Sequence, residues 1–178
     1  CIFWLIGLPK MNSTIYIKNF VYKNFTASNF TGAIEYKNNM LYGKNLNAIS
    51  LDGKLSGKFR LNEPTNNNLK LTSTLKLEKI NIRDSFKAFN NYNQRVITKK
   101  QIKGIGTAYL KIESHWKPNF VLDTKKLKVK SHLIIEKGEL IDFEPLEKLS
   151  TYVSLDELKH VRFSTLENTI YVENEIVT

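Results

Sequence analysis

Apolar and polar residues alternate with period two along most of this chain. Thr14 to Phe20 sets Ile15 and Ile17 against Tyr16 and Lys18. Leu69 to Leu77 sets Leu69, Leu71, Ser73, Leu75 and Leu77 against Lys70, Thr72, Thr74 and Lys76. Leu127, Val129, Ser131, Leu133 and Ile135 oppose Lys128, Lys130 and His132. Successive strand side chains point to opposite faces, so each run reads as a strand with one buried face. Turn-forming residues separate the runs: Asn38-Asn39, Tyr42-Gly43, Asp52-Gly53, Glu63-Pro64 through Asn68, Lys117-Pro118-Asn119 and Lys137-Gly138-Glu139. Strands at this spacing predict a mainly β, antiparallel meander.

Three short helices are expected to cap the sheet. Asp84-Ser85 suits an N-cap for residues 85–91, with Phe86 and Phe89 on one face. Pro145 suits the first position of a helix over 145–153, followed by Leu146, Leu149, Tyr152 and Val153. A third, over 156–161, starts acidic and ends basic, matching the helix dipole. The glycines of Leu51–Phe59 and of Gly104-Ile105-Gly106 sit within strand-like alternation, where they allow bulges, sharp coiling and close packing. No helix start or Lys-Ser/Thr follows Gly104-Ile105-Gly106, so a phosphate-cradling loop is not expected there.

Composition narrows the function classes. Hydrophobic residues make up 42% of the 178, which excludes wholesale disorder. The single Cys1 leaves no disulfide framework and no mainly cysteine zinc site. The net charge of +10 is carried by scattered lysines, many of one strand parity, such as Lys126, Lys128 and Lys130. That distribution predicts a solvated sheet face rather than a nucleic-acid site, with anionic head groups or other polyanions as the alternative. Residues 1–8 (CIFWLIGL) are apolar but too short to span a bilayer, and are expected to form an internal strand. Two features, a start without Met and an end within a strand-like pattern, read as those of a fragment.

No catalytic or metal constellation is expected. His115, His132 and His160 lie far apart, and Glu136, Glu139, Asp142 and Glu144 fall near a predicted turn. Sequences diagnostic of serine, cysteine or phosphate chemistry do not occur. The expectation is a non-enzyme without a cofactor. Three glycosylation-type triplets, at Asn12, Asn24 and Asn29, are common by chance in an Asn-rich chain.

The run from about Ile80 to Val177 resembles the C-terminal region of the AsmA family. The similarity rests on Ile82-Arg83-Asp84-Ser85-Phe86, Lys103-Gly104-Ile105-Gly106-Thr107-Ala108 and the strand from Leu127 to Glu136. Its most specific part is Gly138-Glu139-Leu140-Ile141-Asp142-Phe143-Glu144-Pro145, followed by Phe163-Ser164-Thr165-Leu166-Glu167-Asn168. The chain then divides into a β-repeat region over 1–79 and an AsmA-like region over 80–178. The resemblance implies a strongly curled sheet with an apolar groove, in a periplasmic protein anchored in the bacterial inner membrane by a segment outside this chain. It also implies a role in outer-membrane biogenesis and lipid homeostasis, with phospholipid acyl chains as the ligand. The residues expected to face the groove or its core are Leu71, Leu75, Leu110, Ile112, Leu127, Val129, Leu133 and Ile135. An alternative partner is an envelope protein paired along a sheet edge.

Overall fold

The computed structural model describes residues 10–65, 68–117, 119–147 and 158–178. Nine strands form one antiparallel sheet in strictly sequential order. They are β1 (Met11–Tyr22), β2 (Phe25–Lys37), β3 (Met40–Ser50), β4 (Gly53–Thr65), β5 (Asn68–Asn81), β6 (Ile102–Trp116), β7 (Lys128–Ile141), β8 (His160–Glu173) and β9 (Ile176–Val177). The expected mainly β antiparallel meander is therefore the architecture. Hairpin turns at Asn38-Asn39, Leu51-Asp52 and Asn174-Glu175 carry two consecutive residues of positive φ. This is the mirror-image turn whose twist matches that of the flanking strands.

Four residues inside strands also take the left-handed conformation: Asn29 (φ 50), Asn45 (φ 50), Lys79 (φ 53) and Lys137 (φ 51). Each adds a residue without changing which face the next apolar side chain occupies. In β5, Leu77 opposes Ala108 and Ile80 opposes Gly106, with Lys79 as part of the bulge between them. The boundary between residues 79 and 80 thus falls within one strand.

Two predicted turns are corrected. Tyr42-Gly43 lies inside β3 and Lys137-Gly138-Glu139 inside β7. The glycines there make room for rings: Gly43 is directly opposite Phe59 and Gly138 directly opposite Phe163. A Cβ at either position would collide with the opposing ring. The sheet is neither closed nor strongly curled.

The helix α1 (Ile82–Ala88) starts earlier than expected, because Asn81 rather than Asp84 caps it. The Asn81 Oδ1 accepts from the Asp84 N–H at 3.2 Å, satisfying a donor that has no partner within the helix. A tight turn over Asn90–Asn93 follows, with Asn90, Asn91 and Tyr92 in the left-handed backbone region. The helix α2 (Glu144–Glu147) starts one residue before the expected 145–153 region and covers its beginning; the remainder from 148 on is outside the described residues. Of the expected 156–161 helix, Leu158 and Lys159 are helical, whereas His160 and Val161 belong to β8. A hydrophobic core lies beneath α1, where Ile82, Ile102 and Ile135 pack with Phe86, Leu133, Leu140 and Phe163.

Candidate functional site

Directly opposed residues in a sheet share a face, so the register defines two faces of different chemistry. One transverse row runs Leu46, Gly57, Leu75, Leu110, Ser131 and Ile170 from β3 to β8. The next runs Ala48, Leu55, Leu77, Ala108, Leu133 and Asn168. In β1 and β2 the same face carries Ile17 opposite Phe30 and Phe20 opposite Ala27. A single, predominantly apolar surface therefore spans eight strands.

Its two ends differ. Over β6 to β8, α1 closes the surface into the Ile82–Ile102–Ile135 core. Toward β2 the cover ends in a chain of rings. Phe89 stacks on Tyr92 at 5.6 Å and on Phe25 at 5.5 Å, and Phe25 meets Phe20 at 6.4 Å. Beyond these rings lies an open apolar recess of about 250 Å³. Its lining includes Ile17, Phe20, Phe30, Leu46, Leu55 and Leu75. Leu75 remains 36% exposed and Phe20 38%, so apolar side chains here meet solvent.

Seven of the eight residues singled out from the sequence sit on this face. Leu71 and Leu75 are on β5, Leu110 and Ile112 on β6, and Val129, Leu133 and Ile135 on β7. Leu127 instead lies just before β7, after the 3-10 turn Thr124–Lys126. The eight do not form one site. Leu75 lines the open recess, whereas Leu133 and Ile135 belong to the closed core under α1. Sequence reasoning missed the recess walls on β1 to β4. There apolar residues recur at a spacing of three (Ile17 and Phe20, Ala27 and Phe30), which breaks strict alternation.

The opposite face is polar and ion-paired. Lys70 contacts Glu113 at 2.9 Å, Lys76 contacts Glu78 at 2.6 Å, Lys128 contacts Glu173 at 2.6 Å and Lys103 contacts Glu139 at 3.0 Å. Glu35 is buried beneath Lys44, Lys37 and Lys10. The hydrogen bond from Lys44, then that from Lys37, holds its carboxyl below the usual glutamate range. Glu113 and Glu139 are lowered likewise, chiefly by hydrogen bonds from Lys70 and Lys103. His160 and Arg162 also approach Glu139, and His132 approaches Glu167. Among the described residues, no helix is long and apolar enough to cross a membrane. Comparisons with family models, curated proteins and solved structures find no match to this chain.

Proposed function

We propose that the apolar face is a binding groove for phospholipid acyl chains, in a periplasmic, AsmA-like protein that supports lipid transfer between envelope membranes. The carrying observation is the recess bounded by Phe20, Phe30, Leu46 and Leu75, open to solvent on an apolar surface that continues across eight strands. Contiguous exposed apolar surface of this kind marks an interaction site. The reading does not require strong curl, because a chain lying on the face loses water from one side while rings flank its end. Roughly seven buried methylenes at ~0.8 kcal/mol each would contribute ~6 kcal/mol.

The test is mass spectrometry of lipids that co-purify with the chain, combined with photo-crosslinking probes at Leu46 and Leu75. Phospholipid adducts at both positions, and none from a probe at the core residue Ile135, are expected. Lipid-free protein with no acyl adduct at Leu46 or Leu75 would sink the groove.

A second reading, strand addition at β1, is favoured by a different observation. Among the described residues, the outer edge of β1 is unpaired. Its twelve residues include a single charge, Lys18, and no proline, although edge strands are normally protected by such residues. Tyr16, Val21 and Tyr22 are highly exposed there. A lipid-free protein that captures one envelope protein, and loses it on Val21→Pro substitution, would support edge pairing instead.

A further inference from the structure

We infer that the polar face of the sheet docks on an anionic phospholipid bilayer through a transverse row of unpaired lysines. Lys58 is directly opposite Thr74, Thr74 opposite Lys111, Lys111 opposite Lys130 and Lys130 opposite Tyr171. Side chains so opposed have Cβ atoms about 5 Å apart, and like charges placed this way repel. In the rows on either side Lys76 and Lys128 each contact a carboxylate, and Lys70, one row further out, contacts Glu113. The row itself contains no acid. Among the described residues, Lys58, Lys111 and Lys130 have no ion pair, nor do the nearby Lys54 and Arg60. Lys111 and Lys130 therefore face each other without a carboxylate of their own: Lys130 lies over the Tyr171 ring at 5.2 Å, while Glu113 and Glu173 of the same recess are held by Lys70 and Lys128, so an external anion would relieve the repulsion.

The row lies in a shallow depression. One recess of about 420 Å³ holds Lys111, Lys130, Thr74 and Tyr171, and an adjoining one of about 330 Å³ holds Lys58 and Arg60 and shares Thr74. Cations on β4, β6 and β7 match a surface of head groups, to which each nearby lysine contributes ~1 kcal/mol of attraction. A single-stranded nucleic acid fits less well, because it needs free aromatic rings on which bases can stack. On this face the rings of Tyr42, Tyr109 and Tyr171 are already covered by lysine ammonium groups at 5.4, 5.5 and 5.2 Å. The inference concerns the face opposite the acyl recess and stands or falls separately from it.

The experiment is co-sedimentation of the whole chain with vesicles of phosphatidylcholine alone, or with one-quarter phosphatidylglycerol, at low and high salt. Salt-sensitive binding to the anionic vesicles only is expected. The triple variant Lys58→Ala, Lys111→Ala, Lys130→Ala should partition about a hundredfold more weakly. A control of equal charge change outside the strands, Lys99→Ala, Lys100→Ala, Lys125→Ala, should lose less than about threefold, because charges displaced from the surface are screened. Circular dichroism of both variants checks that the exposed substitutions leave the sheet intact. Equal losses in the two triples would reduce the effect to net charge and overturn the inference. So would an absence of binding to anionic vesicles, or tighter binding to a single-stranded oligonucleotide at matched phosphate.

Discussion

Leu77 and Ile80, three residues apart in β5, lie on the same face of the sheet because Lys79 takes a left-handed backbone conformation (φ 53) in the bulge between them. Lysine occupies this region at a cost that glycine avoids. Replacing Lys79 by Gly is therefore expected to stabilise the chain by about 0.5–1 kcal/mol, the strain relief being partly offset by the entropy of a freer unfolded chain. Asn45→Gly should change stability little, since Asn tolerates the conformation. Urea midpoints of the two variants would decide it, and equal shifts would contradict the strain argument.

Gly138 lies directly beneath the ring of Phe163. Gly138→Val should destabilise by about 2–3 kcal/mol through overpacking. Combining it with Phe163→Ala should restore at least ~1 kcal/mol relative to additivity. A double-mutant cycle in urea provides the check, with strict additivity as the adverse result.

These two cases also mark how far the fold was legible in the sequence. Alternation placed Leu69–Leu77 on a strand and Asn38-Asn39 in a turn, because both patterns are local. The sequence pattern predicts turns at Tyr42-Gly43 and Lys137-Gly138, because a glycine beneath a ring has the same local sequence as a glycine in a turn. The partners that distinguish them, Phe59 and Phe163, lie on other strands. The recess was half legible for a related reason. Leu75 sits in a regular run, whereas Ile17, Phe20, Phe30 and Leu46 flank interruptions that two-residue periodicity does not anticipate.

Acid should weaken the fold through Glu35, Glu113 and Glu139. Each carboxyl is lowered in the native state by hydrogen bonds from lysine. A depressed folded value contributes stability above the unfolded value of about 4.3, and that stability is lost as pH falls through the folded value. Glu35→Gln should therefore be less stable than the parent at pH 6, with the gap closing toward pH 3. Urea midpoints across that range would show it, and a gap that is constant with pH would refute the linkage.

Phe89 bridges the helix cover to Phe25 and Tyr92 by stacking, yet it is 44% exposed. Phe89→Ala should cost only about 1 kcal/mol while admitting more of an apolar fluorescent dye to the recess. Ile82→Ala, in the closed core, should instead cost about 2–4 kcal/mol. Dye binding and urea unfolding of the two variants separate an opened gate from a weakened core.

Because every strand pairs only with its neighbours in sequence, the sheet behaves as a one-dimensional array in which stability accumulates locally. Inserting or excising one complete hairpin would keep the parity of every remaining strand. Such a change would alter the width of the apolar floor by about 10 Å, two strand spacings. The architecture can thus be lengthened or shortened in units of two strands, and the size of cargo it accommodates can be tuned without redesigning the residues that hold it.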